Sequence, residues 1–288
     1  MFYFAERYIK LALKRAGLKE NRVKTDDYNM HYYDSASNKE VIVLVHGLGA
    51  STEFQWYKQI VPLSKKYRVI LVNLLHYGKS RSYINSGHQI GDQILYLEAV
   101  RKHLKLDKFI LGGLSYGGLV CAEYTHSYPQ HIEQLVLVDA AVKHLSLEHL
   151  QGLCDYYGAK DLKDFFAPKK ASGLKRQLQA ARHKKHYVPK FLLRSIHKNI
   201  TQPNLANWEC ILDNLLNDYE KLAARQYKFD QKISIFWGRH DKIIPLSTGR
   251  ALYEQFEQSK LFIFEKSGHL PNLEEPKKFN RALLNQLK

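Results

Sequence analysis

The chain is short of cysteine, of paired metal-ligand motifs, of long apolar runs and of acids. Its three cysteines, Cys121, Cys154 and Cys210, are odd in number and far apart. At least one must stay unpaired, which argues against a disulfide frame and for reduced thiols. Neither C-x-x-C nor H-E-x-x-H occurs, so neither a metal nor a bound cofactor is expected. No run approaches the roughly 18 apolar residues that cross a bilayer. The opening Met1-Phe2-Tyr3-Phe4-Ala5-Glu6-Arg7 is charged too early to be the apolar segment of a secretory leader. The location these absences imply is cytoplasmic, with peripheral attachment to a membrane left open.

The shortage of acids is local. Asp and Glu number 28 against 44 Lys and Arg, a net charge of +16 over 288 residues. Residues 1–24 hold seven basic side chains and two acids, for +5, and residues 160–200 hold twelve and two, for +10. The rest of the chain is nearly neutral. Two concentrated patches imply an anionic partner, either a membrane surface or an acidic acyl carrier protein. No nucleic-acid motif accompanies them, and nucleic acid is not expected.

What is present centres on Gly113-Leu114-Ser115-Tyr116-Gly117. It follows the apolar run Phe109-Ile110-Leu111 and precedes a helix-compatible stretch, so G-x-S-x-G stands in strand–turn–helix context. Gly113 and Gly117 remove the Cβ atoms that would collide in so tight a turn, and Ser115 is left projecting from the sheet. Upstream, the β-branched run Val41–Val45 ends in His46-Gly47-Leu48-Gly49, where the N–H groups of Leu48 and Tyr116 could converge on one oxygen. Downstream, Ile233–Trp237 ends in Gly238-Arg239-His240-Asp241, and Leu261–Phe264 is followed by Ser267-Gly268-His269. A serine hydroxyl needs a base in reach, and the base needs an orienting carboxylate. Ser115, His269 and Asp241 fill those roles in the required chain order. Asp139, ending the strand Ile132–Val138, competes with Asp241 as the acid; Asp241 is preferred because it stands in the expected loop. His46, Gly47 and Glu274 are read as shaping turns.

These four segments, in this order, make the chain resemble the α/β-hydrolase superfamily of serine hydrolases, within the capped esterase and lipase group that includes monoacylglycerol lipases, carboxylesterases and pimeloyl-carrier methyl esterases. The resemblance implies a mostly parallel twisted sheet flanked by helices. It also implies a helical cap that excludes water and shapes the pocket. One departure stands out. Relatives carry an acidic residue where this chain has Asn73 and a glycine where it has His76.

The residues themselves support that architecture. Strands are expected at 22–25, 29–33, 41–45, 68–73, 108–112, 132–138, 232–237 and 260–264, with helices near 52–66, 88–104, 117–128, 246–258 and 275–287. Alternation of this kind demands a mostly parallel sheet with catalytic groups at its carboxyl edge. The pattern breaks between the core segments 21–141 and 229–288. Residues 142–228 are read as the cap, whose aromatics Tyr156, Tyr157, Phe165, Phe166, Tyr187, Phe191 and Trp208 could line a cavity. Residues 1–20 form a basic amphipathic helix with Phe4, Tyr8 and Leu11 on its apolar stripe beside Ile9, Leu13 and Ala16; the stripe either packs on the body or lies on an anionic membrane.

The function expected is hydrolysis of carboxylic esters, lipid-like or of medium acyl chain, through an acyl-enzyme. An esterase or thioesterase for carrier-linked acyl groups is the alternative, docking an acidic carrier on the basic cap. Carbon–carbon bond hydrolysis can use the same triad. A non-catalytic binding protein on this scaffold is the reading of another class.

Overall fold

The computed structural model describes residues 2–184 and 187–287, with side chains from residue 6 onward. The chain opens with helix α1 (Phe2–Arg15) and an antiparallel pair, β1 (Lys19–Lys24) and β2 (Tyr28–Asp34). Then strands and helices alternate: β3 (Val41–Val45), α2 (Thr52–Ser64), β4 (Arg68–Val72), a two-residue β5 (Arg81–Ser82), α3 (Ile90–His103), β6 (Phe109–Leu114), α4 (Tyr116–Ser127) and β7 (Ile132–Val138). Among the described residues six α-helices follow before the next strand, α5 (Leu147–Tyr157), α6 (Leu162–Phe166), α7 (Ala171–Ala180), α8 (Lys190–Ile196), α9 (Gln202–Asn217) and α10 (Tyr219–Ala224), with a π-helical turn (His197–Thr201) joining α8 to α9. The chain closes with β8 (Lys232–Gly238), α11 (Leu246–Gln255), β9 (Ser259–Phe264), α12 (Pro271–Glu274) and α13 (Pro276–Gln286).

The sheet runs β1-β2-β4-β3-β6-β7-β8-β9, with β5 paired to β2. From β4 through β9 every neighbour is parallel, and β2 is antiparallel to β4. The chain leaves β3 for β4 on one side and then crosses back to β6 on the other. That reversal opens a crevice at the carboxyl ends of β3 and β6, where ligands of open α/β sheets bind. Along β3, Val43 and Val45 belong to one core and Ile42 and Leu44 to the other. A strand buried on both faces must be apolar throughout, which is why this one is an unbroken β-branched and leucine run.

The stripe of α1 differs from the expectation. Ile9, Ala12, Leu13 and Ala16 are buried against the body, while Tyr8 and Leu11 face solvent. Phe4 lies outside the residues whose side chains are described. The helix therefore satisfies one apolar face by packing against α2 and keeps a second, smaller one exposed. No helix among the described residues is long and apolar enough to cross a membrane.

Candidate active site

Ser115 caps the N-terminus of α4 with φ 55° and ψ −122°, outside the regions a side-chain-bearing residue normally occupies. Such a conformation costs on the order of 1–3 kcal/mol and survives only where the surroundings dictate it. They do so here. A Cβ on Gly117 would lie 2.2 Å from the carbonyl oxygen of His46, and one on Gly113 would lie 2.3 Å from that of Gly117. Strand, elbow and helix are thus packed backbone to backbone, and Ser115 N–H donates to Val138 O at 2.9 Å.

The turn after β3 closes on this serine. A Cβ on Gly47 would sit 2.9 Å from Ser115 Cβ, so glycine is what lets the two loops touch. The two peptides that flank Gly47 are each held by a side chain. Leu74 N–H donates to His46 Nε2 at 3.1 Å, which leaves Nδ1 protonated and donating to Gly47 O at 2.8 Å. Burial pushes this imidazole down to about 4, so it stays neutral and keeps that tautomer. Gln55, on α2, accepts Gly47 N–H at 2.7 Å. In a trans peptide the Leu48 N–H points opposite the restrained Gly47 carbonyl. Leu48, Ser115 and Tyr116 all border one cavity. Neither the Leu48 nor the Tyr116 N–H has an acceptor among the described residues. Gln55 is a residue that sequence reasoning missed; a glutamine inside an amphipathic helix carries no signal of the loop it supports.

Asp241 and His269 meet directly, with His269 Nδ1 donating to Asp241 Oδ2 at 2.7 Å. The other carboxylate oxygen accepts Ile243 N–H at 2.9 Å and Ile244 N–H at 3.1 Å, which fixes the carboxylate's orientation toward the imidazole. The His269 loop is clamped. Glu274 accepts Gly268 N–H at 2.8 Å and His183 N–H at 3.0 Å, and His269 N–H donates to Ala181 O at 2.9 Å. Asp139 stands beside the pair, one ligand-type atom of each of Asp139, Asp241 and His269 lying within 4.8 Å of the others. Its Oδ1 accepts Gly238 N–H at 2.9 Å, not the imidazole, and its buried Oδ2 has no partner among the described residues. Burial and then the neighbouring Asp241 charge push Asp139 well above the usual carboxylate range. Asp139 is thus placed next to the pair in surroundings that favour its protonated form. The structure brings Asp241 and His269 together and sets Ser115 at the end of β6, its N–H on Val138 O beside Asp139. Ser115 Oγ forms no hydrogen bond with His269 or with any other described residue.

The cavity bordered by Ser115 has a volume of about 140 Å³ and is walled mostly by aliphatic side chains, ten of them leucines. The leucines come from α5, α6, α9 and α10 as well as the core. Of the seven cap aromatics expected there, Phe166 alone reaches the cavity among the described residues, joined by Tyr219 of α10. Phe165 and Trp208 are buried in cap packing, and Tyr156, Tyr187 and Phe191 face solvent.

The two departures from the family pattern also have physical roles. Asn73 is fully buried, its Oδ1 accepting Thr52 N–H at 2.8 Å at the start of α2 and its Nδ2 donating to His31 Nδ1 at 3.0 Å. His76 has φ 68°, the left-handed region in which glycine is usual. It stacks on His88 at 4.2 Å and donates from Nε2 to Ser86 O at 2.7 Å, and these contacts hold a residue that pays a steric penalty there.

A family model described as alpha/beta hydrolase fold matches residues 40–276, and the chain belongs to that family. The chain is 26% identical over 271 residues to a 2-hydroxy-6-oxononadienedioate/2-hydroxy-6-oxononatrienedioate hydrolase of Pseudomonas putida, covering 91% of this chain and 92% of that protein. Among solved structures it is similar to a putative lipase from Acinetobacter baumannii AYE, with a TM-score of 0.85, 22% identity, and coverage of 98% of this chain and 95% of that one. It is also similar to a bacterial membrane phospholipase A, with a TM-score of 0.84, 20% identity, and coverage of 99% and 90%. At these identities the structures establish the fold alone.

Proposed function

We propose that the chain hydrolyses carboxylic esters with apolar acyl groups, through a covalent acyl-enzyme. The observation that carries the reading is the leucine-walled cavity opening directly on Ser115. Ser115 Oγ attacks the ester carbonyl carbon as its proton passes to His269 Nε2. Asp241, already bonded to Nδ1, stabilises the imidazolium and holds its orientation. The carbonyl oxygen, now negative, is received by the N–H groups of Leu48 and Tyr116. Collapse breaks the ester C–O bond, and His269 returns the proton to the departing alcohol. Water, deprotonated by His269, then releases the acid and restores Ser115. Cap helices α5, α6, α9 and α10 keep other water away from the acyl group.

Hydrolysis of a carbon–carbon bond is the second reading. It is supported by the name of the Pseudomonas putida relative and by three buried donors, Tyr77 Oη and Tyr116 Oη of the core and Trp208 Nε1 of α9, that have no acceptor among the described residues. Oxygen-rich substrates would satisfy such donors. The cavity weighs against it. A dioate brings two carboxylates, whereas among the described residues one Lys or Arg, Lys143, lines the cavity, so at least one carboxylate would lack a cationic partner. Burying unpaired carboxylates against leucine is prohibitively costly.

A series of p-nitrophenyl esters of increasing acyl length tests the proposal. Each methylene accommodated should raise kcat/KM about fourfold until the cavity is full, as expected of about 0.8 kcal/mol per buried CH2. A flat profile, or turnover of a 2-hydroxy-6-oxo-dienedioate exceeding that of every ester, would overturn it. Gln55→Ala should lower kcat by about tenfold or more with little change in KM, because it loosens a donor used only as charge develops on the oxygen. An equal rise in KM would instead show that Gln55 only shapes substrate binding.

A further inference from the structure

The strongest feature outside the site is a surface where exposed rings and unpaired cations lie together. Tyr187 is 88% exposed, Phe191 61%, Tyr8 59% and Leu11 42%. Two grooves lie among them. The first is formed by α1, α2 and the start of α13, with Tyr8, Leu11 and Val61 beside Arg15, Lys58 and Lys277. The second is formed by α7, α8 and the segment between them, with Leu178, Tyr187, Val188 and Leu193 beside Lys175 and Arg182. No Asp or Glu lines either groove among the described residues. The grooves adjoin, since α1 touches α8 and the Arg182 charge bears on both Tyr57 and Lys58 of α2. Arg7, Lys10, Lys14 and Arg15 on α1, and Lys175, Arg182 and Lys190 near α8, form no ion pair among the described residues, unlike Lys163, Lys169 and Arg176 elsewhere in the cap.

We infer that this surface docks the protein on an anionic lipid bilayer. Charge complementarity selects an anionic partner, and the protruding rings select one with an apolar interior. A soluble acidic protein would satisfy the cations and leave Phe191 and Tyr187 in water. Interfacial helices combine the two features, apolar side chains entering the headgroup boundary while Lys and Arg meet the phosphates. The position of the surface also fits delivery of a substrate. Ala181, Arg182 and His183 lie directly against Gly268, and Ala181 O accepts His269 N–H at 2.9 Å. The docking surface and the loop of the proposed catalytic base therefore share one segment of chain. The inference deepens the ester-hydrolase reading by naming the source of the acyl substrate, but docking itself needs no turnover.

The test is flotation of the full chain carrying Ser115→Ala with vesicles of phosphatidylglycerol and phosphatidylcholine, and with vesicles of phosphatidylcholine alone. Binding should require the anionic lipid and fall steeply between low and high salt. The triple variant Lys10→Glu, Arg15→Glu, Lys190→Glu should bind the anionic vesicles about a hundredfold more weakly, each cation near the surface being worth about fivefold. Phe191→Ser with Tyr187→Ser should weaken binding further at high salt, where only the apolar part remains. In the chain that retains Ser115, the same substitutions should leave turnover of a soluble short-chain ester within about twofold, which also reports an intact fold. Equal binding to both vesicle types, no loss in the triple variant, or preferential capture of an acidic acyl carrier protein over anionic vesicles would overturn the inference. Vesicle binding by a chain inactive on every ester would uphold the surface and sink the ester reading alone.

Discussion

Ser115→Ala is expected to lower kcat by about a millionfold while leaving stability nearly unchanged. The two effects separate for a structural reason. Alanine keeps the Cβ that packs at the elbow, so the strained backbone at φ 55° is neither relieved nor worsened. The hydroxyl makes no hydrogen bond among the described residues, so its removal leaves no buried donor or acceptor unpaired. A fluorophosphonate should form one adduct on the wild-type chain, located at Ser115 by mass spectrometry, and none on the variant. An adduct that persists in Ser115→Ala would place the nucleophile elsewhere. The nearby thiol of Cys121 is a poor candidate, because full burial pushes it well above its ordinary range and keeps it protonated. Matching thermal melts of the two chains would show that lost activity is lost chemistry.

The sheet and its helices were legible because burial on both faces forces unbroken apolar strands and turns force glycine. Val41–Val45, Ile132–Val138 and the elbow all show that physics in their letters; the expected strands differ from the observed ones by a few residues at their ends, and the two-residue β5 has no counterpart among them. Local patterns also located Asp241 and His269, each just beyond a strand. What stayed hidden depended on distant partners. Tyr8 and Leu11 have the same apolar character as Ile9 and Leu13, and only the position of α2 decides which pair is covered. The cap is rich in aromatic residues, yet leucines make most of the cavity wall, since short helices separated by Pro168, Pro189 and Pro203 give no local indication of which faces converge. Gln55 supports the turn that carries Leu48 across an eight-residue separation, and the left-handed φ of His76 shows why relatives use glycine there.

Asp241→Asn should cost about four powers of ten in kcat, whereas Asp139→Asn should cost at most a few-fold, although the two carboxyls lie side by side. The magnitude for Asp241 follows from losing an acceptor that fixes the imidazole tautomer. An asparagine amide there can present a donor to Nδ1 and turn the ring into the wrong form. Asp139 is different because burial and the charge of Asp241 favour its protonated form, and asparagine reproduces that form's neutrality, its shape and the oxygen that accepts Gly238 N–H. Its effect on stability has a definite sign. A carboxyl whose folded pKa is raised binds a proton that the unfolded chain releases. The folded state therefore loses stability as pH climbs from about 4, the unfolded value, toward the folded pKa. Asp139→Asn removes that dependence, so the variant should melt higher than wild type at pH 7–8 and lose the advantage as pH falls toward 4. Thermal melts across that range and kcat for both single variants decide the assignment. If Asp139→Asn is the crippled enzyme and Asp241→Asn the tolerated one, the orienting acid sits at the end of β7. If instead Asp139→Asn melts lower than wild type at every pH, Asp139 is a charged partner and the neutral-acid account of this pair fails.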